Sequence, residues 1–366
     1  MTLCLGNYNI TATFFSDPKD EKDPKFTMPH AWANRRKYFQ QTLELANCDV
    51  LGLQELSPEQ ALDLFELFPN HKFYIFTQAQ TEEVEAGKIY STADEIKTYL
   101  LGKFIGTALI GIMYNPKKVR HSLGIAASME VIPTDQGMFW YNVEPFKKPT
   151  ATDRSQTDKG FGNMNTPRGP AYMRFTHIET NKDFYFFTSH SPISGGAKTR
   201  MECFKLENEI IKKIVNDIPF FSIGDRNLFP DDRAEESYNA LVSKDVYDWF
   251  NVENHIGFTT TWLGYLYEPK QYQNQIKQSS LTDTTRLDIG ISSIKSISSA
   301  HYHCIIRDTC VELLGELKED DNLTRNFVSD HSMVVANFNL IDYCKDDSCA
   351  EYTIEKSHYC KLHTFI

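Results

Sequence analysis

The 366-residue chain has no apolar run approaching the roughly 20 residues that a membrane-crossing helix needs, so no transmembrane segment is expected. Met1 to Ile10 shows no basic stretch followed by a long apolar one. The expectation is therefore no ordinary secretory leader and a cytoplasmic location by default, with export by a signal-independent route left open. Positive charge is in deficit: 38 Lys and Arg stand against 49 Asp and Glu, a formal net charge of -11. Such a balance disfavours nucleic-acid binding by bulk charge, although a local patch can override the total. Cysteine is sparse, 8 in 366 residues, which excludes a small disulfide-built scaffold. Internal repeats and low-complexity tracts are missing. Apolar residues are not scarce: they make up 41%, with 25 Phe and 18 Tyr, which supplies a large core and excludes intrinsic disorder.

Length alone suggests two domains. Strand-like and helix-like runs alternate along the whole chain. Strands are predicted at Leu3–Ile10, Asp49–Leu53, Ala108–Tyr114, Ala171–Glu179, Asp183–Ser189, Pro219–Ile223, Leu287–Ser293 and Met333–Asn339. Helical spacing appears at Ala31–Leu45 and at Arg200–Val215, the latter with Leu206, Ile210, Ile211 and Ile214 on one stripe. A further helix runs to Phe68, opened by Ser57 as N-cap with Pro58 at its first position. Ser16–Lys25, Pro145–Pro170 and Glu268–Thr285 are irregular. The second of these is locally basic: Lys147, Lys148, Arg154, Lys159 and Arg168 against Asp153 and Asp158 give +3. Many strands with few helices between them favour a layered α/β sandwich over a doubly wound parallel sheet.

Several predicted strands end in polar residues that a purely structural role does not require. "LGNYNI" carries Asn9, "DVLGLQEL" presents Gln54 and Glu55, and "FFTSHSP" delivers Ser189 and His190. "FFSIGDRNLFPDD" offers Asp225 and Asn227, "TRLDIGI" has Arg286 and Asp288, and "SDHSMVV" has Asp330 and His331. Taken singly, a carboxylate at a strand end is ordinarily a turn former or cap, and a single His an ordinary packed residue. Jointly they form an ordered set at strand termini.

The set resembles the endonuclease/exonuclease/phosphatase superfamily, over nearly the whole span from Asn9 to His331. "DVLGLQE", Gly-Asp-x-Asn and Ser-Asp-His are its specific members. The resemblance implies a deoxyribonuclease-I-like four-layered α/β sandwich, two packed mixed sheets flanked by helices. It also implies one catalytic domain over 1–341, with 145–170 and 268–285 as insertions, in place of two. Phosphate-ester hydrolysis adds negative charge to a group that already bears it, and a hard divalent cation on oxygen ligands offsets that charge. By resemblance the cation is Mg2+, with Mn2+ as an alternative, on Glu55 with Asn9 and Asp330 beside it, directly or through water. Glu55, Asp225, Asp288 and Asp330 in one cleft would repel each other without it.

The resemblance assigns catalytic roles to His190, Asp225, Asn227, Asp288 and His331. His331 would lie against the scissile phosphate, oriented by Asp288. Asp225 would position or deprotonate water, Asn227 would donate to a phosphoryl oxygen, and His190 would contact phosphate. Which histidine is the acid stays open. Two departures stand out: Thr-Ser-His-Ser-Pro around His190, and Arg226 between Asp and Asn, which is expected to face out of the sheet end, with an added phosphate contact as the alternative.

Substrate is less constrained, since the shared site handles only the phosphate. A nucleic-acid phosphodiesterase is preferred slightly, the basic loop rimming the cleft. The alternative is a phosphoinositide or inositol phosphatase, or a phospholipid phosphodiesterase. "TTRLDIG" lacks the Pro-x-Trp-x-Asp-Arg signature of the phosphoinositide 5-phosphatases. A catalytically inactive binding protein on the same fold is a third reading, opposed by the presence of both Glu55 and His331. Oligomeric state is not readable. Five cysteines (Cys4, Cys48, Cys203, Cys304, Cys310) read as reduced. In the tail 342–366, Cys344, Cys349, Cys360 and His363 form C-x4-C-x10-C-x2-H, a candidate structural zinc knuckle with His358 as a fallback ligand. A mobile reduced tail or a Cys344–Cys349 disulfide is the alternative.

Overall fold

The computed structural model describes residues 2–13, 31–78, 84–103, 109–122, 135–148, 167–193, 195–229, 234–243, 245–250, 252, 254–256, 286–307, 310–314 and 328–340. The Cys/His tail, most of the basic loop (149–166), the polar segment 268–285 and the loop 16–25 lie outside them. Elements in chain order are β1 (Thr2–Asn9), α1 (Trp32–Ala46), β2 (Val50–Leu56), α2 (Pro58–Leu67), β3 (Lys72–Thr77), β4 (Ile89–Tyr90), α3 (Ala93–Tyr99), β5 (Leu109–Tyr114), β6 (Val119–His121), β7 (Gln136–Met138) and β8 (Ala171–His177). They continue with β9 (Lys182–His190), α4 (Gly196–Val215), β10 (Phe220–Asp225), α5 (Ala234–Leu241), β11 (Tyr247–Asp248), β12 (His255–Ile256), β13 (Asp288–Ser292), β14 (Ser298–Arg307), β15 (Cys310–Leu314) and β16 (Met333–Asn339).

Two mixed sheets result. The first, of nine strands, runs β12-β14-β16-β1-β2-β5-β3-β4 with β15 on β14. The second, of seven, runs β11-β13-β10-β9-β8-β6 with β7 on β8. Because side chains alternate along a strand, each sheet buries two different faces. Leu3 and Leu5 of β1, Ile110 and Ile112 of β5, Phe184 and Phe186 of β9 and Phe221 and Ile223 of β10 meet between the sheets. Tyr8, Leu51, Leu53 and Met113 pack outward against Trp32, Phe39 and Leu43 of α1, Leu64 of α2 and Ile96 of α3. On the other side Tyr185, Phe187, Ile289 and Ile291 pack under Phe204, Ile210, Ile211 and Ile214 of α4 and Tyr238 of α5. The expected four-layered α/β sandwich is the observed architecture. No helix among the described residues is long and apolar enough to cross a membrane.

Local signals account for the helix that places the end of β2. Ser57 accepts from the Gln60 amide while the Gln60 side chain returns a bond to Ser57, a capping box with Pro58 at the first position. α4 starts one turn earlier than its apolar pattern predicts, at Gly196, and Leu206 is only partly buried at the edge of the stripe. Cys4, Cys48, Cys203 and Cys304 are free thiols.

Arg286 and Asp248 anchor the start of β13, the strand that carries Asp288. Arg286 donates twice to the Asp248 carboxylate, at 2.8 and 2.5 Å, and Tyr238 donates a third bond. Burial pushes the Asp248 carboxyl up, but the Arg286 charge, its hydrogen bonds and that of Tyr238 hold it below the usual value of 3.8. A depressed carboxyl stabilises the fold above its unfolded pKa and loses that contribution as pH falls through the folded one. Asp248→Asn is therefore expected to cost about 3 kcal/mol at pH 7, the scale for breaking a buried pair. Urea denaturation of parent and variant should show that gap at neutral pH and a progressively smaller one as pH falls through the folded-state pKa of Asp248.

Candidate active site

At one end of the sandwich the interlayer face turns from apolar to polar. The face of Leu3 and Leu5 continues with Asn7 and Asn9; that of Val50 continues with Gly52 and Gln54. Phe184 and Phe186 lead to Thr188 and His190, and Phe221 and Ile223 to Asp225, all buried. β1 runs parallel to β2 and β9 parallel to β10, so four carboxyl ends arrive together, Asn9 opposite Gln54 and Asp225 opposite His190. β13 enters antiparallel and sets Asp288 opposite Asp225. Gly52 permits the sheets to meet here: a Cβ would lie 2.4 Å from Thr188 Oγ1. Gln54 bridges the layers, donating to Asn7 Oδ1 at 2.7 Å and Thr188 Oγ1 at 2.8 Å.

Strict alternation would send Glu55 to the helix side. Instead the β2–β5 register shifts between Leu53 and Leu56, and Glu55 takes a left-handed φ of 57°. A bulge of this kind re-aims a side chain, and Glu55 Oε1 lies 3.8 Å from His190 Nε2. Thr11 (φ 56°) and Asn227 (φ 50°) are likewise left-handed. For a β-branched residue such as Thr11 that is a rare conformation, and clusters of strained backbone mark functional sites.

His331 Nδ1 is 2.7 Å from Asp288 Oδ2, and Asp288 Oδ1 accepts from Asn7 Nδ2 at 3.1 Å. Asp225 accepts from Asn9 Nδ2 at 3.1 Å and from the Asn227 amide at 2.9 Å; its Oδ2 is 3.4 Å from His190 Nε2 and 3.9 Å from His331 Nε2. Asn227 Nδ2 donates to the Ser191 carbonyl at 2.8 Å, which engages one of its two amide hydrogens. Thr11 Oγ1 donates to Asp330, and Ser329 Oγ donates to the Asn9 carbonyl at 2.6 Å.

Sequence reasoning missed four participants. Arg168, counted only as charge in the basic loop, places Nη1 2.8 Å from His190 Nδ1 and 3.2 Å from Gln78 Oε1. A guanidinium only donates, so Nδ1 must accept and the His190 proton sits on Nε2, aimed at Glu55 and Asp225. Gln78 in turn donates to the Gly169 carbonyl at 3.1 Å. Arg35 of α1 reaches under β1 and donates to the carbonyls of Ile10, Thr11 and Val328 at 2.8 to 2.9 Å, which ties the Asn9 and Asp330 segments together. Asn7 had a legible signal, since it shares the Asn9 face. Arg35 and Arg168 had none, because their partners are remote in sequence. Arg226 is a correction: it does not face out of the sheet end but is fully buried beneath α4, 2.6 Å from Glu207.

The electrostatics follow from burying these groups together. Burial, then the Asp330 charge, raises Glu55. Burial raises Asp225 to about 7, reinforced by Asp288 and Glu55. Burial and the Arg168 charge drive His190 well below its usual value. Burial also opposes charge on His331, but Asp288, Asp330 and Asp225 outweigh it and hold the imidazole protonated.

Glu55, His190 and Asp225 offer ligand atoms within 4.8 Å of one another. Carboxylates raised by mutual repulsion and burial are a donor set that a hard divalent cation would relieve, so the residues present fit such an ion. Since His190 Nε2 carries the proton, the ligand atoms that the cluster offers an ion are the oxygens of Glu55 and Asp225, with Asn9 beside them; Asp330 is not part of the cluster.

Two packed mixed sheets flanked by helices, with polar strand ends meeting between them, make a deoxyribonuclease-I-like α/β sandwich. Solved structures agree. An endonuclease/exonuclease/phosphatase family protein from Bacteroides thetaiotaomicron superposes with a TM-score of 0.60 at 18% identity, covering 93% of this chain and 99% of that one. A mannosyl-6-phosphatase from the same organism gives 0.59 at 18%, covering 91% and 98%. D. rerio TDP2, complexed with a single-strand DNA product, gives 0.51 at 15%, covering 92% and 99%. In sequence, an uncharacterized protein of Acanthamoeba polyphaga mimivirus is 26% identical over 335 residues. That match covers 87% of this chain but 44% of the viral protein, so the chain spans less than half of its length. No protein-family model matches.

Proposed function

We propose that this chain is a divalent-metal-dependent phosphoesterase that hydrolyses a phosphate ester by attack of water at phosphorus, with a nucleic-acid phosphodiester as the preferred substrate. The observation that carries the reading is the convergence of Glu55, His190 and Asp225 beside the Asp288–His331 pair. Glu55, with Asn9 beside it and Asp330 directly or through water, would hold the cation, which would supply Lewis acidity at the phosphate. Asp225 orients the attacking water and takes its proton as the new P–O bond forms and the ester P–O bond breaks, the departing oxygen taking a proton from one of the two histidines or from solvent. The His331 imidazolium, held by Asp288, and the His190 Nε2–H, held by Arg168, stand ready to meet the phosphoryl oxygens as charge accumulates on them. Asn227 has its second amide hydrogen for the same purpose.

A second reading, a phosphomonoesterase acting on a sugar or inositol phosphate, is favoured by the better superposition on the mannosyl-6-phosphatase, 0.59 against 0.51 for the DNA-bound TDP2. Release of nitrophenol from bis(p-nitrophenyl) phosphate in Mg2+ tests the diesterase, and p-nitrophenyl phosphate tests the monoesterase. A parallel panel of single-stranded DNA, RNA and inositol phosphates then ranks substrates. Hydrolysis should require Mg2+ and stop with EDTA. Protein that is folded yet inactive on every substrate with Mg2+ or Mn2+ would remove the proposal.

A further inference from the structure

The far side of the second sheet carries a buried charge pair that catalysis as described does not use. α4 packs on that sheet through Cys203, Phe204, Ile210, Ile211 and Ile214, and the one acidic residue on the same stripe, Glu207, is 0% exposed. Its Oε1 accepts from Ser222 Oγ at 2.8 Å; its Oε2 accepts from Arg226 Nη1 and from Tyr141 Oη, each at 2.6 Å. Arg226 also donates to Ser189 Oγ, and to Ser222 Oγ at 2.8 Å.

The partners of this pair flank the site residues one by one. Arg226 lies between Asp225 and Asn227. Ser189 precedes His190, and Ser191, which follows it, donates its backbone amide to the Asp225 carbonyl at 2.8 Å and accepts from Asn227. Tyr141 Oη is 3.4 Å from Ser191 Oγ, and the Tyr141 amide donates to the Arg168 carbonyl at 2.9 Å. Glu207 is thus linked, through one or two bonds, to the backbone beneath His190, Asp225, Asn227 and Arg168. A buried ion pair is a poor device for stability, since apolar residues of the same volume usually do as well or better.

We infer that the Glu207–Arg226 pair is a positioning element that sets His190, Asp225 and Asn227 in mutual register from behind the sheet. The inference rests on the hydrolytic reading of the cleft. Misplacing reacting groups by about 1 Å costs on the order of 10²-fold in rate, and groups that only orient ligands are typically worth about 10- to 100-fold.

The decisive variant is the paired replacement Glu207→Leu with Arg226→Met, which removes both charges and leaves neither unpaired. Its melting temperature is expected at or above the parent's, with kcat for bis(p-nitrophenyl) phosphate down by about 10- to 100-fold and KM little changed. A folded double variant with kcat within about twofold of the parent, a negligible difference on the activation scale, overturns the inference. Should that variant not fold, Arg226→Lys decides: it keeps the charge but loses the fork that reaches Glu207, Ser189 and Ser222 at once. A kcat loss of about fivefold or more in protein with parental near-UV circular dichroism supports positioning, and an unchanged kcat refutes it. Glu55→Gln separates the two levels: equal hydrolysis by parent and Glu55→Gln removes the assignment of hydrolysis to this cleft, and positioning with it.

Discussion

Replacing Glu55 with glutamine is expected to reduce Mg2+-dependent hydrolysis by on the order of 10³-fold while leaving the melting temperature at or above the parent's. Metal-based charge stabilisation is worth several kcal/mol in a transition state of this kind, and each 1.36 kcal/mol or so is tenfold in rate. The stability half of the outcome comes from the carboxyl's surroundings. Burial and the Asp330 charge hold Glu55 above its usual pKa, so its anion is disfavoured in the folded protein. Glutamine keeps the shape and removes the repulsion. Loss of activity together with loss of fold would mark Glu55 as a structural residue and withdraw it as a metal ligand. Activity assays and differential scanning calorimetry on the same preparation distinguish the two.

The second large effect is expected at Asp288. In Asp288→Asn the side-chain oxygen stays on Asn7 Nδ2, which can only donate, so the new amide nitrogen turns toward His331 Nδ1. His331 Nδ1 must then accept, and the imidazole becomes neutral with its hydrogen on Nε2. The positive charge meant for the phosphoryl oxygens is gone although the shape of the site is unchanged. The comparable swap in a Ser-His-Asp triad costs about 10⁴ in kcat, and a loss of about 10² to 10⁴ is expected here. Nitrogen-15 shifts of His331 would show the tautomer directly. A variant with parental kcat would show that Asp288 serves the packing of β13 alone.

Much of the frame was legible because apolar periodicity reports burial directly. β16 coincides with its predicted span, Met333–Asn339, and β1, β5 and β8 fall within two residues of theirs. Others were not. Lys72–Thr77 is a short apolar and aromatic run with no period to separate it from a buried helix segment. β4, β11 and β12 are two residues each and are strands only through the partners they meet. β14 and β15 pair with each other, and β14 with β16, partners that the local sequence does not reveal.

The candidate site divides the same way. Residues on the inward face of a strand announce themselves, since a polar side chain at the end of an apolar alternation has no packing reason to be there. Asn9, His190, Asp225 and Asp288 are of this kind. Glu55 was found by motif, and only the bulge in β2 explains how it reaches the cleft. Arg226 was misplaced because one more residue of alternation points it at a layer whose occupant, Glu207, is set by α4.

By itself the sequence determined the chemistry available and the ends of the strands that carry it: carboxylates, amides and histidines in a fixed order. Tertiary structure decided which of them meet, which histidine is charged, and which arginines turn inward. The physical reason is that most hydrogen bonds and ion pairs in this site join residues remote in sequence, from 22 positions apart for Arg168 and His190 to 320 for Ser329 and Asn9. Their geometry exists only after two sheets have packed, and the pKa shifts arise from that same burial.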